Sequence, residues 1–174
     1  MTSVDDKTVD DKTIVDKTEV KATDKLVGSW KLVSASSTTR DGERNETPYG
    51  PNPVGFLTYG LDGRVTALIS NGGRKPLSVG GGQPEEQAEA FRTFLAYAGR
   101  YTLTEDKDND NNKVIHFVEI SSIQNYVGKE LVRTVKFHTD QTANDQITLI
   151  TPPTRINGKI QTVELIWQRL ETSS

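Results

Sequence analysis

From Gly28 to Leu170 the chain is a succession of short strand-like runs, and no other feature constrains its fold as tightly. The runs are GSWKLVSASS, VGFLTYG, VTALIS, GRYTLTE, KVIHFVEIS, KELVRTVKFH, QITLIT and KIQTVELIWQRL. They are rich in β-branched and aromatic residues, and several alternate apolar with polar positions, as a strand that buries one face does. About eight strands close a small antiparallel barrel, and short connections between consecutive runs favour up-and-down over Greek-key wiring. The expected fold class is therefore all-β, an antiparallel up-and-down barrel of about eight strands.

Three connections depart from a simple meander. TTRDGERNETPYGPNP is longer than a hairpin needs, whereas LDGR predicts a tight hairpin around Asp62 and Gly63. PEEQAEAFRTFLAYA follows a glycine-rich stretch and predicts one helix between the third and fourth strands. Pro84 sits in its first turn, acids crowd its start, and Ala88, Phe91, Leu95 and Ala98 recur at helical spacing. DKDNDNN reads as a solvated turn; its acidic and amide residues suggest a calcium loop, but lack the glycine and distal glutamate of EF-hand spacing. No metal is expected.

Ahead of the strands, DKT recurs at Asp6, Asp11 and Asp16 with isolated apolar residues between copies. A period of five matches neither helix nor strand, so the apolar residues share no face. Residues 1–25 are read as a disordered repetitive tail; the other reading is a segment that orders on a partner or on a second protomer. With 174 residues the chain is long enough for one such domain and a tail, and too short for two ordinary domains. A net charge of −3 without a basic stripe gives no reason to expect nucleic acid or an anionic membrane. The absence of cysteine removes disulfides and thiolate chemistry, and no cationic leader or membrane-length apolar run occurs, so a soluble cytoplasmic protein is expected.

The segments Gly28-Ser29-Trp30, PYGPNPVGFLTY, AYAGRYTL, VIHFVEISSIQNYVG, LVRTVKF and LIWQRL resemble the lipocalin-like domain family, small proteins distinct from the secreted transport lipocalins. The resemblance runs from Leu26 to Leu170 and sets the domain at residues 26–174. It implies a lipocalin or calycin-like barrel in which Trp30 closes the floor and Arg169 stacks over it.

In a barrel wall a polar residue on an apolar face is informative. Arg133 lies among Leu131, Val135 and Phe137, and His116 among Val114, Val118 and Ile120. A hairpin symmetric about Gln124 and Asn125 sets position 116 opposite position 133, bringing both into one space. A buried guanidinium needs a carboxylate, carbonyls or an anionic ligand, and histidine exchanges protons near neutrality. The plainer reading is that Arg133 satisfies backbone carbonyls and His116 packs as a core residue. Glu119, three residues from His116, falls on the opposite face of a regular strand.

Candidate catalytic residues are thus His116, Arg133 and Tyr101. Candidate substrate contacts are Tyr49 in the PYGPNP loop, Phe56, Tyr97, Asn125 and Tyr126 after the histidine strand, and Trp167. No phosphate loop, nucleophile elbow or dinucleotide fingerprint is present, and no cofactor is expected. Two functions survive. One is a cofactor-independent isomerase or cyclase acting on a small hydrophobic metabolite inside the barrel, a role the resemblance permits in secondary-metabolite biosynthesis. The other is a non-catalytic carrier for such a ligand. A homodimer is left open.

Overall fold

Chain order and pairing define the architecture. The computed structural model describes residues 22–106, 112–138, 145–156 and 158–171. A helical turn α1 (Ala22–Leu26) precedes strands β1 (Gly28–Thr39), β2 (Arg44–Asn45), β3 (Val54–Tyr59) and β4 (Arg64–Ser70). Helix α2 (Pro84–Arg92) follows, then β5 (Phe94–Thr104), β6 (Asn112–Ser121), β7 (Glu130–His138), β8 (Gln146–Ile150), β9 (Thr154–Ile156) and β10 (Lys159–Arg169). Each long strand pairs antiparallel with the next long strand, and β1 closes the ring on β10 from Trp30↔Arg169 to Thr39↔Gln161. Eight strands form the closed barrel, and the short β2 and β9 hang on β1 and β10 at one rim.

The β3–β4 hairpin turns where Asp62 and Gly63 predict it. Gly63 takes a φ of +76°, and its N–H donates to the Gly60 carbonyl at 3.1 Å. The Asp62 carboxylate accepts the Arg64 N–H at 3.1 Å, fixing the start of β4.

The helix is shorter than its periodicity suggests. It starts as expected, with Pro84 in its first turn and the Glu86 carboxylate accepting the Gln83 N–H at 2.6 Å. It ends at Arg92, and Leu95 and Ala98 belong to β5 instead. β5 pairs along all of β4, from Ser70↔Phe94 to Arg64↔Arg100. A helix continued through Ala98 would strip β4 of those partners in the middle of a barrel wall, which costs more than local helical preference returns.

Two bulges decide which residues face inward. In β1 the register shifts between Leu32 and Ser34, leaving Val33 52% exposed. Between β5 and β6 it shifts at Ala98/Gly99, so Ile120 is 67% exposed instead of continuing the Val114 and Val118 face. A Cβ on Gly99 would meet the Phe117 carbonyl oxygen at 1.9 Å, so this crossing of strands requires glycine.

The floor of the barrel is closed by Trp30, which is 1% exposed. Its Nε1–H donates to the Leu26 carbonyl at 3.0 Å, and the Arg169 guanidinium stacks over its ring, as the resemblance implies. Arg169 also donates to the Val27 and Lys25 carbonyls and pairs with Asp145. Residues 22–25, read from sequence as tail, are therefore helical and tied to the floor. The repeats of residues 1–21 and the acidic segment 107–111 lie outside the described residues.

Candidate functional site

The interior carries a polar chain built from three strands. His116, 1% exposed, projects inward from β6 between the rows of Val114 and Val118. Its Nε2 lies 2.8 Å from the Tyr59 hydroxyl of β3, and its Nδ1 lies 2.9 Å from the Tyr97 hydroxyl of β5. Tyr59 also packs edge-on against Tyr101, with ring centroids 4.8 Å apart. Alternation places all of them inward: Gly55, Leu57 and Tyr59 on β3, and Tyr97, Gly99 and Tyr101 on β5.

The charge state of this chain follows from burial. Burial pushes the His116 pKa down to about 3, and the Arg133 charge acts in the same direction. Burial also pushes the Tyr97 phenol up to about 12 and raises Tyr59 well above the usual tyrosine range. All three groups are neutral at pH 7. A neutral imidazole has one N–H and one lone pair, so it donates to one tyrosine and accepts from the other. The tautomer with the proton on Nδ1 lets the buried Tyr59 O–H donate to Nε2 while Nδ1–H donates to Tyr97, whose own proton is then left for a further acceptor. Tyr49, Tyr126 and Arg133 act on Tyr97 electrostatically.

Arg133 shares this space, though the register differs from the symmetric expectation. His116 pairs with Leu131, and Arg133 pairs with Val114. The 3-10 turn Gln124–Tyr126 and the β6 bulge slip the hairpin by two residues, a shift that preserves the face on which each side chain lies. The guanidinium donates to the Val132 carbonyl at 2.8 Å, and among the described residues it has no carboxylate partner. Arg133 lies on the inward row of β7 with the buried Val135 and opposite Val114, and its charge acts on His116, Tyr49, Tyr59 and Tyr97.

The other sequence candidates separate. Tyr49 and Tyr126 are half-buried and pack on the core at the rim away from Trp30. Trp167 is inward and 2% exposed, and its Nε1 is the one buried side-chain nitrogen or oxygen without a hydrogen-bond partner among the described residues. Tyr101 is inward, but its hydroxyl donates to the Gly60 carbonyl at 3.0 Å, away from His116. Phe56 lies on the outer face, 44% exposed, because alternation from Leu57 turns it outward. Asn125 is exposed in the 3-10 turn. Glu119 lies outside the barrel wall, bound by Arg64 and Arg100.

Sequence reasoning missed Tyr59. The signal was available: counting alternation back from the Asp62–Gly63 turn puts Tyr59 on the inner face with Leu57.

A surface groove of about 520 Å³ lies between α2 and residues 71–77, and Gly50 and Pro51, next to Tyr49, form part of its wall. A closed eight-stranded antiparallel barrel, sealed at the floor by Trp30 and carrying a polar chain in its interior, has a lipocalin-like architecture. The chain belongs to the lipocalin-like domain family, whose model matches residues 27–170. It is also 35% identical over 91 residues to the 4'-hydroxy-3'-methoxypropiophenone carrier protein ppsC of Aspergillus oryzae (strain ATCC 42149 / RIB 40), an overlap of 51% of this chain and 78% of that protein. No helix among the described residues is long and apolar enough to cross a membrane.

Proposed function

We propose that the protein binds a small hydrophobic metabolite in its barrel, in the cytoplasm, and serves secondary-metabolite biosynthesis. The observation that carries this reading is the Tyr59–His116–Tyr97 chain beside an inward arginine with no carboxylate partner. Such a pair of donors suits a carbonyl or hydroxyl oxygen on an otherwise apolar molecule. The relative named as a carrier of an aryl ketone lends support.

Titrating the protein with 4'-hydroxypropiophenone, followed by tryptophan fluorescence, tests it. Arg133→Met is expected to weaken binding about 10- to 100-fold, the loss of a charge-assisted hydrogen bond. Binding that is absent in the wild type, or unchanged in the variant, refutes the reading.

A second reading, an isomerase or cyclase without cofactor, is favoured by the same donors, because they would stabilise an enolate oxygen as it forms. In it Tyr97 meets the substrate, and His116 is a positioning residue that orients Tyr97. Product formed from metabolites of the producing strain, abolished by boiling the protein, would support it. His116→Phe would then cut turnover about 100-fold with little change in affinity.

A further inference from the structure

We infer that the interior holds its ligand as an oxyanion, a phenolate or enolate, in preference to the neutral phenol or enol. This rests on the binding reading above and adds the ionisation state of the ligand.

The inward polar groups are donors without a counter-charge. Arg133 spends one N–H on the Val132 carbonyl and has no carboxylate partner among the described residues. Tyr97 lies 2.9 Å from His116 Nδ1 and, with the imidazole proton on that nitrogen, has its own proton to give. The buried Trp167 Nε1–H has no hydrogen-bond partner among the described residues. The titratable and charged groups facing this space are Tyr49 from the β1–β3 connection, Tyr59 of β3, Tyr97 and Tyr101 of β5, His116 of β6, Tyr126 of the 3-10 turn and Arg133 of β7. Arginine is the one formal charge in that set at neutral pH, since burial keeps His116 neutral and holds Tyr49, Tyr59, Tyr97 and Tyr101 above their usual range. The carboxylates of β6 and β7 do not offset it: Glu119 is engaged outside the wall and Glu130 is exposed on the outer row opposite Phe117.

A half-buried cation in an apolar wall lacks the solvation it would have in water, and an anionic oxygen restores it. The same field lowers the pKa of any acidic hydroxyl bound beside it. The O–H bond of the ligand breaks, its proton passes to bulk water, and the oxygen keeps the electron pair between the guanidinium and the Tyr97 O–H. The protein need supply no base. This is a selection rule: among apolar molecules of similar size, those with an acidic phenol or a β-dicarbonyl enol bind best, and O-methylation removes the advantage.

Two chromophoric probes test it, 4-nitrophenol for the phenolate and dimedone for the enolate, with 4-nitroanisole as the non-ionising control. Each acid is mixed with the full-length protein at a pH where the free probe is half ionised. Tryptophan quenching reports binding and the probe's own absorbance reports ionisation. The expected result is a rise in the ionised fraction of at least one probe, corresponding to a bound pKa about one unit lower or more and about tenfold preference for the anion. Which probe responds tells phenolate from enolate. Arg133→Met should abolish the shift and Arg133→Lys, which keeps the charge, should retain most of it. Tyr97→Phe should reduce it severalfold, an arm that stands if Arg133→Met fails to fold. Quenching without any rise in ionisation, or a shift that persists in folded Arg133→Met, overturns the inference and leaves the binding reading intact. Failure of all three probes to bind overturns both.

Discussion

The guanidinium carbon of Arg169 lies 4.2 Å from the centre of the Trp30 indole ring, while its nitrogens donate to the carbonyls of Val27 and Lys25. One side chain from the last strand thus stacks on the floor plug and pins the segment that leads into the first strand.

Trp30→Ala should therefore destabilise the fold by about 3–5 kcal/mol in urea denaturation, the usual cost of deleting a buried aromatic. Ligand preference should be unchanged, because the donors near Arg133 lie on other strands. A variant of wild-type stability would mean that Trp30 does not seal the barrel.

His116 should make stability depend on pH. Unfolded, it titrates near 6.5; folded, at about 3. Between these values the unfolded chain binds one proton more, so stability falls as the pH falls from about 6.5, by up to about 1.4 kcal/mol per pH unit. The exposed carboxylates of Glu43, Glu86 and Glu119 have lowered pKa values and add their own loss below about 4.5. The window from 6.5 to 4.5 isolates the histidine. His116→Gln, which can still bond both tyrosines, should flatten the slope there; an unchanged slope would show that His116 titrates normally.

Gly99→Ala tests the β5–β6 bulge. Its methyl would collide with the Phe117 carbonyl oxygen, a backbone atom that cannot rotate away. A loss of about 3 kcal/mol is expected, and an amide spectrum should show shifts on β5 and β6, the strands that carry Tyr97 and His116. An alanine tolerated without such shifts would place the bulge elsewhere.

Deletion of residues 1–21 should move the melting temperature by no more than about 2 °C, because a five-residue repeat offers no apolar face to bury. Deletion through Leu26 should lower it by about 10 °C, since Leu26 is fully buried and its carbonyl accepts the Trp30 N–H. A large loss from the shorter deletion would make the repeats part of the folded domain.

The sequence by itself determined the class of fold, the floor and one hairpin. Strand periodicity, the Gly28-Ser29-Trp30 start with Arg169 in the last strand, and Asp62-Gly63 each express a local preference that the tertiary structure keeps. Arg133 was legible as a polar intrusion on an apolar face, and a two-residue register slip left that face intact. Only the tertiary structure decided what depends on distant partners. Phe94 to Ala98 became strand because β4 needed its hydrogen bonds. Ile120 turned outward because the strand crossing at Gly99 shifts the register by one residue. His116 acquired both of its partners, Tyr59 and Tyr97, through barrel closure that brings together residues 57 and 19 positions away along the chain. The chemistry of that histidine follows from the same closure: it is neutral because the barrel buries it, and burial is a property of the assembled walls that its own strand does not carry.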